Sequence, residues 1–169
     1  MADVVDAATR SRMMAGIRSK DTKPEVLVRK ALHARGFRYP LNSRGLPGRP
    51  DVVLPKWKVA VFVHGCFWHS HGCHLSKLPA SNTAFWKTKL DANHERDLLA
   101  QLTLISAGWR TVTIWECALR GRAALERLPQ IMDQLAAWIR DQAEQPVFEI
   151  SGDGSTASSG LAFPVQEKT

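Results

Sequence analysis

Two cysteines and three histidines lie in one short stretch that directly follows an apolar strand pattern. Residues 62–73 read FVHGCFWHSHGC. Cys66, His71 and Cys73 can supply three of the four ligands of a tetrahedral zinc ion, and the one other cysteine of the chain, Cys117, is available as the fourth. Buried or disulfide-paired thiols are the alternative interpretation. Thiolate and imidazole sets suit zinc, and an odd number of cysteines argues against a disulfide framework.

Two further histidines are candidates for chemistry in the same stretch. His69 could replace His71 as a zinc ligand, because the spacing alone does not separate the two. His64 and His69 could instead take a proton from a metal-assisted water, since imidazole titrates near neutral pH. Glu25 could orient that water or a hydrated metal, although a carboxylate in a first helical turn is also favoured by the helix dipole alone.

Asp51 begins a predicted strand just after the turn-rich sequence LPGRP, and the neighbouring predicted strand ends at His64. A carboxylate and a polar residue on adjacent strands can converge on one divalent cation and a phosphate, as metal-dependent nucleases require. The pattern is similar to the PD-(D/E)xK nuclease core, but Phe62 stands in place of the second carboxylate and His64 in place of the lysine. Asp51 could equally cap the preceding loop.

The elements that must position these residues follow from periodicity and turn signals. The order predicts an α/β fold, a mixed central sheet flanked by helices. The predicted elements are a helix over 25–34, a short strand over 37–40, a loop over 42–50, a hairpin of strands 51–54 and 58–64, a helix over 82–107, a strand over 109–115 and a helix over 122–141.

Length and composition favour one domain with tails. The chain has 169 residues, 44% of them hydrophobic, which is enough for one substantial core. We predict a basic arm over 1–20, the folded domain over 21–144 and a flexible tail over 145–169, which contains GDGSTASSG.

Charge and hydropathy narrow the class of partner. The formal net charge is +7 and the sequence pI about 9.7, with the basic surplus before residue 145, so a polyanion is the expected partner. No apolar stretch reaches 18 residues and the N-terminus lacks the apolar region of a secretory signal, so we expect a soluble, cytoplasmic protein without a membrane partner.

Taken together, these motifs resemble the very short patch repair (Vsr) endonucleases. The resemblance is carried by ATRS near the N-terminus, LPGRPD, HGCFWHSHGC, ERD, GWR and WECALRGR, and it fades after about residue 145. It implies a single restriction-endonuclease-like domain with a structural zinc site. It also implies a magnesium-dependent enzyme that nicks duplex DNA 5′ of the thymine in T·G mismatches left by deamination of 5-methylcytosine.

Carried over residue by residue, the resemblance assigns a role to each candidate. It implies Asp51 on magnesium, and because Val63 stands where family members can carry a hydroxyl residue, a contact there would use the backbone carbonyl. It implies His64, His69 and Glu25 in catalysis. It favours His71 over His69 in a zinc site formed by Cys66, His71, Cys73 and Cys117.

The resemblance also implies how DNA is contacted. Apolar side chains inserted beside a mismatch unstack DNA at a cost of a few kcal/mol per step, and a mismatched pair is cheaper to deform. The implied contacts are an aromatic wedge of Phe67, Trp68 and Trp86, with Met14 from the basic arm, Lys89 and Asn93 reading the mismatch, and Arg120 and Arg122 on phosphates. Without the resemblance, Lys89 and Asn93 could be a solvated helix face.

Further expectations concern partners and competing functions. We expect a bacterial monomer, associated with the nucleoid when it acts, that contacts general mismatch-repair proteins and a repair polymerase. A zinc-stabilised DNA-binding protein without catalysis is one competing function, and a restriction-type endonuclease that cuts both strands is another. Asp51 with His64 favours an enzyme, since a pure binder has no need of that pair.

Overall fold

The computed structural model describes residues 6, 8, 9, 12, 20–40, 45–142, 144–152 and 156–159. Met14 and most of the predicted basic arm lie outside the described residues. Along the described part of the chain, no helix combines the length and apolar character needed to cross a bilayer.

Helix α1 spans Lys23–Ala34 and begins with a reciprocal capping arrangement. The Thr22 hydroxyl oxygen accepts from the Glu25 N–H at 3.4 Å, and the Thr22 hydroxyl donates to the Glu25 carboxylate at 2.9 Å. The first bond satisfies one helix N-terminal N–H, and the second fixes the Glu25 side chain. The helix ends before Gly36, whose φ of +87° suits glycine. The predicted helix is confirmed.

Within the described residues, a five-stranded mixed sheet forms the centre of the molecule. In sheet order the strands are β1 (Val52–Leu54), β2 (Val59–His64), β3 (Arg110–Trp115), β4 (Val147–Ile150) and β5 (Thr156–Ser159), and two further helices are α2 (Thr83–Ser106) and α3 (Arg122–Asp141). The outer pairs β1–β2 and β4–β5 are antiparallel, whereas β2–β3 and β3–β4 are parallel. Parallel neighbours need a crossover connection, and helices α2 and α3 provide the two crossovers.

The β1–β2 hairpin brings distant residues of the sequence together. Val52 pairs with Val61, and the Asp51 N–H donates to the Val61 carbonyl at 2.9 Å. Because the strands are antiparallel, the start of β1 lies beside the end of β2. Asp51 is therefore held close to Val63 and His64.

The two faces of the sheet have different roles. Alternate residues of β2 point to opposite faces. Val59 and Val61 join the main core between the sheet, α1 and α3, with Leu32, Met132 and Ile139 among its fully buried members. Ala60 and Phe62 pack on the other face with Leu104 of α2. His64, two residues beyond Phe62, continues on this thinner side, between the sheet and α2.

Two expectations from the sequence differ from the structure. Residues 37–40 are not part of the sheet, and Phe37 is instead a core side chain 2% exposed. In the segment predicted to be a flexible tail, residues 147–150 and 156–159 form strands β4 and β5. Val147, Phe148 and Ile150 are buried. This burial stabilises a strand that the following glycine- and serine-rich stretch obscures in the sequence.

Candidate active site and zinc site

The ends of parallel strands β2 and β3 bring two distant cysteines together. His64 and Trp115 are register partners, Cys66 follows β2 and Cys117 follows β3 in a short 3-10 turn. The Cys117 N–H donates to the Cys66 sulfur at 3.3 Å, and the Cys117 sulfur lies 3.4 Å from His71 Nδ1. The sheet thereby sets the distance between two parts of the cysteine and histidine cluster.

The cluster has the composition of a closed zinc site. One donor atom each from Cys66, His71, Cys73 and Cys117 lies within 4.8 Å of the others, and His69 is not in this set. None of the three cysteines, all in the described part of the chain, forms a disulfide. Three thiols and one imidazole match the donor set of structural zinc. Burial raises the pKa of the Cys66 thiol, so a thiolate there needs a compensating cation.

Asp51 provides a partly buried carboxylate at the junction of β1 and β2. Its Oδ2 accepts a hydrogen bond from the Val63 N–H at 2.7 Å. Burial raises the pKa of Asp51 to about 6, the Val63 hydrogen bond opposes this rise, and the charge of Glu25 adds to it. A cation bound beside Asp51 would offset the cost of ionising its carboxylate, so Asp51 is a candidate metal ligand.

A histidine pair lies on the same side of the sheet. The rings of His64 and His69 stack with centroids 3.8 Å apart and planes 3° apart. His69 Nδ1 hydrogen bonds to the Asp97 carboxylate of α2. Burial, with a contribution from His69, lowers the pKa of His64 to about 4, so His64 is neutral at physiological pH.

The stacked geometry favours proton transfer over metal binding by the two histidines together. Donor atoms of His64, His69 and Asp97 lie within 4.8 Å of one another. A metal ion must lie near the plane of each imidazole that binds it, and two parallel rings 3.8 Å apart cannot share such a position. The Asp97 carboxylate instead fixes the tautomer and orientation of His69, as in other carboxylate–histidine pairs.

A cavity of about 300 Å³ lies between α2 and the sheet beside these groups. His64 and His69 line it on one side, and Asp97 and His94 on the α2 side, with Glu149 from β4. The Glu149 carboxylate accepts a hydrogen bond from Trp115 Nε1. The ERD motif alone predicts no role for Asp97, because its contact with His69 depends on which side of α2 faces the sheet.

Glu25 is buried, 8% exposed, at the start of α1. One carboxylate oxygen accepts from Thr22, and the other lies 3.3 Å from Arg29 Nη2. Its charge raises the pKa of Asp51. Glu25 is therefore more than an exposed first-turn acid, and its charge acts on Asp51.

An aromatic cluster lies beside the histidine pair. Phe67 and Trp68, from the loop between Cys66 and His71, meet Trp86 of α2 edge to face, with ring centroids 5.1–6.1 Å apart. Lys89 Nζ lies 5.5 Å from the Trp68 ring and 5.4 Å from the Trp86 ring. These three rings, together with the neighbouring Phe85, 60% exposed, form an apolar surface under a cation.

Asn93 and the two arginines differ in how they are held. The Asn93 side-chain amide donates to the Trp68 carbonyl at 3.0 Å, so Asn93 supports the aromatic loop rather than facing only solvent. Arg120 and Arg122 are exposed and pair with Glu116 at 3.2 Å and Glu126 at 2.9 Å. Exposed pairs of this kind are weak and can exchange for other anions.

Comparison with known proteins identifies the family of this chain. The family model described as DNA mismatch endonuclease Vsr matches residues 2–75. The type II nicking enzyme V.XorIIP of Xanthomonas oryzae pv. oryzae is 43% identical over 134 residues, which cover 79% of this chain and 98% of that protein. The DNA mismatch endonuclease Vsr of Escherichia coli K12 is 40% identical over 152 residues, covering 90% and 97% respectively.

The family model and the relatives of this length and identity show that the chain is an endonuclease. The chain belongs to the Vsr family of DNA mismatch endonucleases. The type II nicking enzyme V.NmeAIP of Neisseria meningitidis serogroup A, 44% identical over 136 residues that cover 80% of this chain and 97% of that protein, is another relative.

Proposed function

We propose that this endonuclease uses magnesium to nick one strand of duplex DNA 5′ of the thymine in a T·G mismatch, which starts very short patch repair. The observation that carries the proposal is the convergence of Asp51, the His69–Asp97 pair and an aromatic cluster at one edge of the sheet. The relatives named as a mismatch endonuclease and as nicking enzymes support the same reaction class.

The carboxylate of Asp51 and the backbone carbonyl of Val63 are the groups that would hold magnesium. Oxygen donors of this kind suit Mg²⁺, and the raised pKa of Asp51 fits a group awaiting a cation. When bound, Mg²⁺ polarises the scissile phosphate and lowers the pKa of an attacking water.

His69 is the proposed proton acceptor. Its Nδ1 is engaged by Asp97, so Nε2 is the nitrogen left to take a proton from water. His64 remains neutral and stacks against His69, which restricts rotation of that ring. Glu25 contributes negative charge beside Asp51 and would strengthen its attraction for a hydrated cation.

Recognition is proposed to depend on the aromatic cluster. Phe67, Trp68 and Trp86 present edge-to-face rings next to the proposed catalytic groups. Insertion of such rings beside a mismatch costs less than insertion beside a paired step. Lys89 and Asn93 adjoin these rings, while Arg120 and Arg122 would bind phosphates. We place Met14 in the same recognition role by family resemblance alone.

The zinc site is proposed to be structural. Four protein ligands close the coordination sphere, so the ion would tie β2 and β3 to the aromatic loop rather than take part in hydrolysis. We also propose that the protein acts as a monomer in the bacterial cytoplasm, and that general mismatch-repair proteins and a repair polymerase continue the repair.

The test uses T·G and T·A duplexes of identical sequence, with each strand labelled separately, with and without Mg²⁺. Cutting of only the T strand of the mismatched duplex, and only with Mg²⁺, is expected. Cutting of both strands of the T·A duplex would favour a restriction-type enzyme. Binding without any cutting would favour a non-catalytic DNA-binding protein.

A further inference from the structure

Backbone groups lie against all three sulfurs of the zinc cluster. The Cys66 sulfur accepts from the Cys117 N–H at 3.3 Å, and the Cys73 sulfur accepts from the Leu75 N–H at 3.4 Å. The Cys117 sulfur lies against the backbone of Gly152. Backbone contacts of this kind orient metal ligands and limit access to them. Two of the neighbouring backbone groups lie close to the cysteines in sequence, whereas the third comes from the C-terminal part of the chain.

Gly152 lies so close to Cys117 that a larger residue would not fit. A Cβ atom at Gly152 would lie 2.8 Å from both the sulfur and the Cβ of Cys117, and 3.1 Å from its carbonyl carbon. The φ of Gly152 is outside the left-handed region, so the backbone itself does not require glycine. The requirement comes from the close approach to the ligand residue.

Two contacts hold Gly152 in this place. Strand β4 ends at Ile150, which is fully buried and pairs with Ile114 of β3. Arg127 of α3 donates to the Gly152 carbonyl at 3.1 Å. The sheet and α3 therefore hold the backbone of Gly152 against the sulfur of Cys117.

We propose that Gly152 closes the zinc site, so that the position of its backbone controls how fast zinc leaves. The proposal rests on the zinc site proposed above. Solvent or a competing ligand must displace this backbone to reach the Cys117 sulfur from that side. A positioning role of this kind acts on zinc retention without requiring any contact with DNA.

The test measures zinc release from the full chain. Zinc-loaded wild-type protein, Gly152→Ala and Arg127→Ala are mixed with excess 4-(2-pyridylazo)resorcinol, and the coloured zinc complex is followed over time. Because partners of metal ligands typically change metal affinity by about 10–100-fold, Gly152→Ala should release zinc at least about tenfold faster. Arg127→Ala should show a smaller acceleration.

Two matched controls separate closure from a general loss of stability. Gly108, with φ +80° and open space around its Cβ position, provides a glycine-to-alanine change away from the zinc cluster. Gln130 provides an exposed truncation on the same helix as Arg127. Release from Gly152→Ala at the wild-type rate, or no faster than from Gly108→Ala, would overturn the proposal. Should Gly152→Ala not fold, Arg127→Ala against Gln130→Ala decides by the same criterion.

The zinc content of the purified protein shows whether the closure by Gly152 or the zinc site itself is wrong. One equivalent of zinc with unchanged release rates contradicts closure by Gly152 alone. Purified wild-type protein without zinc contradicts the zinc site itself, and the closure with it.

Discussion

At the residue scale, Asp51 is held in a position that costs stability. Its carboxylate is partly buried beside the buried Glu25, and its pKa is raised from 3.8 to about 6. Folding therefore disfavours the ionised form that cation binding requires. This conflict is common at functional sites, where an unfavourable group is retained for its chemistry.

The first prediction is that Asp51→Asn abolishes nicking and leaves mismatch binding largely intact. The amide can still accept the Val63 hydrogen bond but cannot supply a charged ligand. Binding rests mainly on phosphates and bases, so it survives. Nicking of labelled T·G duplex and its affinity are measured together, and Asp91→Asn, an exposed acid on α2, serves as the control. Cutting by Asp51→Asn at the wild-type rate would refute the assignment.

The same substitution should stabilise the free protein at neutral pH. With a folded-state pKa of about 6 against an ordinary 3.8, the ionisation cost is absent below about pH 4 and complete above about pH 6. Discounted for partial exposure, Asp51→Asn should raise the free energy of unfolding by about 1–2 kcal/mol at pH 7.5 and by nothing measurable near pH 3.5. Denaturant unfolding at both pH values, without divalent cations, checks this.

A further prediction concerns the histidine–carboxylate pair. His69→Ala should lower the single-turnover nicking rate by about 10²–10⁴-fold, because a positioned base contributes that much. Asp97→Asn should lower it less, since the ring keeps a hydrogen-bond partner but loses the charge that stabilises its protonated form. Equal rates for wild type and His69→Ala in a quench-flow time course would exclude His69 as the base.

At the element scale, the parallel pair β2–β3 carries both sites. His64 ends β2 and Cys66 follows it, while Cys117 follows β3. The loop between Cys66 and His71 holds the aromatic residues and His69. The zinc cluster and the histidine pair are thus separated by only a few residues.

Loss of one proposed zinc ligand tests how much the cluster stabilises the fold. Cys117→Ser should lower the free energy of unfolding by about 3 kcal/mol or more, because removal of a ligand opens a closed four-ligand site whose metal-binding energy supports the fold. Metal analysis and denaturant unfolding are compared with Ser106→Ala, a change at an exposed residue at the end of α2. Full zinc content in Cys117→Ser would mean that His69 or another group replaces the lost ligand.

Another prediction concerns the effect of the aromatic cluster on DNA binding. Trp68→Ala should weaken binding to a T·G duplex more than to the matched T·A duplex, because only the mismatched complex contains inserted rings. Trp57→Ala, a partly buried ring against the main core, controls for loss of stability. Equal losses of affinity on the two duplexes would mean that Trp68 is a general contact, and the wedge would have to be abandoned.

At the scale of the whole molecule, we expect the positive charge to attract DNA of any base sequence. The net charge is +7, and Arg120 and Arg122 stand exposed beyond the zinc cluster. Neutralising either should weaken matched and mismatched binding alike and reduce the slope of log K against log salt by about one. Affinities for both duplexes across a salt series test this, and a loss confined to the mismatched duplex would indicate a specific contact instead.

Local patterns predicted much of this molecule. Turn residues and apolar alternation gave the hairpin that places Asp51 beside His64, and cysteine spacing gave most of the zinc cluster. The contact of Asp97 with His69 is not predictable, because it depends on which side of α2 faces the sheet. Strand β4 is not predictable from local patterns, because its four residues are ordered by pairing with β3.

The loop between Cys66 and His71 bears on where the DNA would be cut. Phe67, Trp68 and His69 are consecutive, and the proposed zinc ligands Cys66 and His71 would anchor both ends of the loop. The distance between the rings that would enter the base stack and the imidazole that would serve hydrolysis is thus short and fixed. We infer that the offset between mismatch and nick is measured by the protein itself, so lengthening this loop by one residue should shift or abolish the cut rather than broaden the choice of mismatch.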